Sequence, residues 1–138
     1  MEKLVYLDNN ATTKTAPEVV EAMLPYYTEK YANASGVYSF AQEVKKDMET
    51  ARETVARFLN ADPSELVFNG GGSESDNTAI KGAAYANRDK GKHIITSKIE
   101  HHAVLNTCKY LEKNGYKVTY LPVDKHGLVD PEEFRKTT

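Results

Sequence analysis

The sequence has almost no cysteine, no excess of basic charge, no long apolar run and no low-complexity tract. Each shortage removes a class of protein. A single Cys, Cys108, excludes an intramolecular disulfide framework and fits a reducing compartment, so a cytoplasmic location is expected. Lys and Arg number 18 against 20 Asp and Glu, leaving a net charge of −2. That lacks the basic excess a phosphate-neutralising nucleic-acid binder needs. No run approaches the roughly 20 apolar residues that cross a bilayer, and Met1–Tyr6 has no secretory apolar core. Neither nucleic acid nor membrane is an expected partner. Internal repeats and Pro/Gly-rich linkers are missing too. What is present is ordinary for a globular domain: 40% hydrophobic and 28% charged residues, with nine Tyr and four Phe. A chain of this length buries about two-thirds of its unfolded surface, enough for a core.

The chain reads as alternating helices and strands. Leu4–Leu7 is a short apolar run, broken by the polar cluster Asp8-Asn9-Asn10-Ala11-Thr12-Thr13, whose short side chains favour turns. Pro17 suits a first helical turn, and Val19, Val20, Met23 and Leu24 follow on one helical face. Residues 31–39 read as loop. From about Ala41 to Leu59, Val44, Met48, Ala51, Val55, Phe58 and Leu59 recur at steps of three and four, which predicts a helix with one apolar stripe and a solvated charged face. Leu66-Val67-Phe68 is a strand candidate, and a helix is expected from near Glu74 to Gly91. Residues 93–97 predict a strand, Val104–Leu111 a helix ended by Asn114-Gly115, residues 116–123 a strand, and Asp130-Pro131 the start of a last helix. This alternation indicates an α/β unit with a largely parallel sheet. Ligands in such sheets sit beyond the carboxyl ends of strands, where residues 69–73 and 97–102 are expected.

Two loops carry candidate chemistry. Gly70-Gly71-Gly72-Ser73-Glu74 joins a strand candidate to a helix, so flexible backbone precedes unpaired helix-start N–H groups. That combination suits a phosphate, and a tight turn is the alternative. The spacing is neither GxGxxG nor a Walker A loop. Ser73 either adds a hydroxyl to an anion site or caps the helix with Asp76. Glu100-His101-His102 puts an imidazole where it could transfer protons or stack on a planar ligand, or merely cap a helix. Adjacent His residues diverge and no HExxH or Cys partner is near, so no metal site is expected. Cys108 lies on the apolar stripe of its helix and reads as a buried small hydrophobe.

Taken together, these residues resemble a family. Tyr6-Leu7-Asp8-Asn9-Asn10-Ala11-Thr12-Thr13 looks like the opening of the cysteine desulfurases that supply sulfur for iron–sulfur clusters, members of the class V aminotransferase group of pyridoxal-phosphate enzymes. Gly71-Gly72-Ser73-Glu74-Ser75-Asp76-Asn77 resembles the family's Gly-Ala-Thr-Glu-Ser-Asp-Asn loop, and Glu100-His101-His102-Ala103-Val104 its Glu-His-Lys-Ala-Val segment. The motifs occur in family order, and similarity continues through Ala61-Asp62-Pro63 and Ile80-Lys81-Gly82.

The resemblance implies part of the large domain of a fold type I pyridoxal-phosphate transferase, a largely parallel sheet flanked by helices. Residues 1–15 would form a segment near the active site and residues 16–138 the partial cofactor domain. Gly72 and Ser73 would hold the cofactor phosphate. His101 would stack on the pyridine ring and move protons, and Asn10 and Ala11 would face the substrate. The implied reaction takes sulfur from L-cysteine, leaving L-alanine and an enzyme persulfide for an acceptor such as an iron–sulfur scaffold protein; a homodimer is implied. The family's cofactor-binding Lys, pyridine-pairing Asp and sulfur-accepting Cys match no position here, so the 138-residue chain alone is expected to be inactive. Two departures stand out: Asn33-Ala34-Ser35-Gly36-Val37-Tyr38 lacks the Pro and His of the family's Asn-Pro-Ser-Ser-x-His loop, and Gly72-Ser73 replaces Ala-Thr. The alternatives are a selenocysteine lyase or aminotransferase of the same group, or a non-catalytic phosphate-binding module.

Overall fold

The computed structural model describes residues 4–137. In chain order these form helices α1 (Pro17–Met23), α2 (Pro25–Thr28) and α3 (Ser39–Leu59), a 3-10 turn (Pro63–Glu65), helix α4 (Gly72–Ala86), strand β1 (His93–Ser97), helix α5 (His102–Lys113), strand β2 (Lys117–Leu121) and helix α6 (Pro131–Arg135). Two compact units result, one ending at Val67 and the other starting at Phe68.

In the first unit Pro17 and Pro25 open α1 and α2, where a missing N–H costs nothing. Helix α3 ends at Asn60, which adopts the left-handed conformation (φ 52°) and donates its N–H to Ala56 and Arg57 carbonyls. Of the expected α3 stripe, Val44 is buried, whereas Met48, Val55, Phe58 and Leu59 stay exposed; Ala41 and Ala56 complete the buried set. The other regular elements of this unit are two short helices and one 3-10 turn, too little to cover a helix of 21 residues. Asp47 of α3 accepts from Lys30 Nζ at 2.6 Å and Tyr26 Oη at 3.0 Å, tying the α2 region to α3. The loop before α3 has its own anchors. Asn33 Oδ1 accepts the Ser35 N–H, and a Cβ at Gly36 would stand 2.8 Å from that of Ala41. Close approach of backbone to α3 thus requires glycine where the family motif has serine. Asp62 and Glu65 form a reciprocal capping box around Pro63.

Residues 66–68 do not join the sheet, contrary to the strand expected there. Leu66 is extended, but its carbonyl accepts from Arg52 Nη1 at 2.7 Å, which diverts that acceptor from a strand ladder.

The second unit is built on β1 and β2, which pair in parallel from His93↔Lys117 to Ser97↔Leu121. Their β-branched residues Ile94, Ile95, Thr96, Val118 and Thr119 suit a pleated, half-buried surface. Helix α5 crosses between them and buries Thr107, Cys108 and Leu111, with Tyr116 and Leu121 completing the core. Gly115 ends α5 with φ 85°, a conformation that favours glycine. Helix α4 packs along α5, and Tyr116 Oη donates to the Ala84 carbonyl at 3.0 Å. It starts at Gly72, two residues before the expected point, and its C-cap is Asn87 rather than Gly91.

Candidate functional site

The geometry of the second unit follows from two short connections. Residues 87–92 join the end of α4 to the start of β1, and residues 114–116 join the end of α5 to the start of β2. Both helices therefore finish at the amino edge of the parallel pair and run antiparallel to the strands, so they run parallel to each other. Lys81 Nζ of α4 lies 4.7 Å from the Tyr110 ring centroid of α5. These contact points stand about 15 and 14 Å from the respective N-caps, at 1.5 Å rise per residue. The starts of α4 and α5 accordingly both lie toward the carboxyl end of the sheet. This brings Gly72, Ser73 and His101 to one end of one unit. Asn10 and Ala11 belong to the other unit.

The N-cap of α4 is Gly71, with no side-chain cap on the helix start. Ser73 is inside the first turn rather than capping it, which corrects the Ser73–Asp76 capping alternative. The first-turn amides of Gly72, Ser73 and Glu74 have no carbonyl to reach in the helix, and they stand at its positive dipole end. A Cβ added at Gly71 or Gly72 would meet nothing within 4 Å, so the approach to these amides is open. Ser75 donates from Oγ to the Gly71 carbonyl at 3.2 Å, and Asn77 Nδ2 to that of Ser73 at 2.9 Å, pinning the turn from behind. Glu74 folds back, its Oε2 accepting the Gly70 N–H at 2.7 Å, a contact that sequence spacing does not reveal.

His101 is the N-cap of α5, its Nδ1 accepting the Ala103 N–H at 3.1 Å. That bond leaves Nε2 as the nitrogen able to carry and hand over a proton. The ring is exposed and lies 6.1 Å from that of His102, tilted 57°. Ser97 Oγ, at the tip of β1, donates to Glu100 Oε1 at 2.9 Å and fixes the turn that presents His101. The capping alternative for this residue is the one observed, and the ring it fixes is exposed.

Residues 8–12 form a hydrogen-bonded turn, with the Ala11 N–H donating to the Asp8 carbonyl at 3.1 Å; Asn10 and Ala11 are exposed on it. Cys108 is buried, and its thiol pKa is pushed up by burial first and by Glu112 and Glu100 next, the opposite of an activated nucleophile. A cavity of ≈ 330 Å³ opens at the far end of the second unit, lined by Ile80, Ala83, Ala84, His93, Ile94 and Tyr116. It is mostly apolar and remote from both helix starts.

The glycine loop fits a phosphomonoester: open amides at a helix start, one hydroxyl, and room where side chains would intrude. The His101 ring is an exposed flat face in the same unit.

Comparison with known proteins follows the same line. A family model described as aminotransferase class-V matches residues 5–138. A cysteine desulfurase IscS of Clostridium botulinum is 57% identical over 135 residues, covering 98% of this chain and 34% of the relative. One of Methanosarcina thermophila is 59% identical over 133 residues, covering 96% and 33%. Among solved structures, a NifS-like protein superposes with a TM-score of 0.88 at 43% identity, over 94% of this chain and 36% of the other. A structure described as SspA in complex with cysteine gives 0.84 at 41%, over 93% and 37%. The chain spans about a third of the length of the curated relatives it matches. The expected fold, an α/β part of a fold type I large domain with a parallel sheet, is the fold of these structures.

Proposed function

The chain belongs to the class-V aminotransferase family, and from that premise we propose that it is the phosphate-holding portion of a pyridoxal-phosphate-dependent cysteine desulfurase. The observation that carries the reading is a helix start with no side-chain cap, opened by glycines, and an exposed imidazole at a second helix start, both toward the carboxyl end of a parallel strand pair. Names of relatives at 57% and 59% identity support the desulfurase reading over other members of the family.

In this reading Gly72 and Ser73 hold the cofactor phosphate through backbone amides and the Ser73 hydroxyl. Amides at the positive end of α4 bind an anion without bringing in a full countercharge. His101 covers one face of the pyridine ring, its Nδ1 committed to the Ala103 amide, and exchanges protons through Nε2. The fixed cap orients the ring before substrate arrives. Asn10 and Ala11 line the substrate side. Bound pyridoxal phosphate supplies an electron sink for chemistry at the amino-acid substrate. In this reading the groups that attach the cofactor and accept sulfur are other residues of the whole protein. L-cysteine is the substrate and L-alanine the product, sulfur passing to an acceptor such as an iron–sulfur scaffold protein. A homodimer in the cytoplasm completes the proposal; among the described residues no helix is long and apolar enough to cross a membrane.

The test compares two lengths of protein with pyridoxal phosphate and L-cysteine. With an added dithiol, which reduces the enzyme persulfide and is itself oxidised to a disulfide, a polypeptide extended to the length of the curated relatives releases alanine and sulfide in equal amounts. The 138-residue chain stays at the no-protein rate. Turnover by the short chain contradicts the placement of the missing groups. Absence of alanine from the long one contradicts the desulfurase reading, and preference for selenocysteine or a keto acid favours the other members of the family.

A further inference from the structure

Glu74 occupies a place that charge alone does not explain. Its Oε2 accepts the Gly70 N–H at 2.7 Å, and a Cβ at Gly70 would lie 3.2 Å from the same oxygen. The carboxylate therefore sits inside the bend of the glycine loop, beside the amides expected to receive a phosphate. A second negative charge there repels the ligand. A residue selected only to attract phosphate would be neutral or basic. Two features of the contact suggest a different use. The acceptor closes a ring of residues 70–74, so it restrains three consecutive glycines whose backbone otherwise has wide freedom. It also consumes the Gly70 amide, which lies before the helix, and leaves the first turn without a side-chain cap.

We propose that Glu74 is a positioning residue for the phosphate. By holding the Gly70 amide it folds the loop so that the amides of Gly72, Ser73 and Glu74 and the Ser73 hydroxyl converge on one anion. The proposal rests on the phosphate reading above, and the experiment separates the two. The full polypeptide carrying this sequence is titrated with pyridoxal 5′-phosphate and, separately, with pyridoxal, by calorimetry. Glu74→Ala weakens pyridoxal 5′-phosphate by about tenfold, the scale of a charge-assisted hydrogen bond, and leaves pyridoxal affinity unchanged. Glu74→Gln, whose amide oxygen still accepts the Gly70 N–H and carries no charge, binds at least as tightly as the unsubstituted protein. A merely structural first-turn acid would move the melting temperature in both variants without this split in affinity. Gly70→Ala, which crowds the carboxylate with no change of charge, weakens the phosphate ligand in the same direction and serves if Glu74→Ala does not fold. Unchanged or tighter binding by Glu74→Ala, or a Glu74→Gln protein as weak as Glu74→Ala, overturns the role of Glu74. Equal affinity of the unsubstituted protein for pyridoxal and its phosphate overturns the phosphate reading, and the proposal with it.

Discussion

An imidazole that accepts a backbone amide through Nδ1 has committed one of its two nitrogens. At His101 this links helix capping to any chemistry on Nε2. The two uses separate by substitution. His101→Asn keeps a short cap acceptor, so the melting temperature stays near that of the unsubstituted protein while ring-dependent cofactor spectra and turnover are lost. His101→Ala loses both, with about 1 kcal/mol of stability measured by urea unfolding. Tyr120 gives a second prediction. Its pKa is pushed up to about 12, by burial first and by its hydrogen bond to Glu112 next. A raised pKa means the folded state holds the neutral phenol, so this stabilisation is complete below pH 10 and fades as pH rises through 12. Tyr120→Phe should flatten stability against pH between 10 and 12, read by unfolding alongside phenolate absorbance. The position of Gly72, Ser73 and His101 at helix starts was legible in the sequence because residue type and nearby stop and start signals are local facts. The Nδ1 cap and the reach of Glu74 to Gly70 depend on side-chain torsions, which no spacing encodes.

At the scale of elements, β1, α5 and β2 were readable because each carries its pattern within itself: β-branched runs, a step of three and four, and Asn114-Gly115 as a stop. Leu66–Phe68 carries a strand's composition but not a strand's pairing, since pairing is decided by partners elsewhere in the chain. The α3 stripe was likewise correct in period yet only partly covered. Two substitutions test these elements. Leu111 is fully buried where α5 meets the sheet, and Leu111→Ala should cost about 2–5 kcal/mol by chemical denaturation. Gly36→Ala would force two Cβ atoms to within 2.8 Å on a rigid helix face. A loss of about 1–3 kcal/mol is expected, and an unchanged midpoint would show that the loop before α3 does not approach it so closely.

The molecule as a whole exposes 11244 Å² of surface. Two separate folded units of half the mass each would expose about 8,700 Å² between them. Large apolar side chains lie on this surface: Val19, Met23, Leu24, Phe58, Leu59, Val67 and Phe68 are all exposed. The 138-residue chain should therefore bind a hydrophobic fluorescent dye strongly, and a chain of the relatives' length only weakly. The central claim, however, concerns one end of the second unit. It is tested most directly by titrating the isotope-labelled protein with pyridoxal 5′-phosphate and following amide and imidazole resonances. Shifts centred on residues 70–75 and on His101 to Ala103 are expected. Shifts confined to Ile80, Ala83 and Tyr116 at the opposite cavity, or no saturable shift, would contradict it.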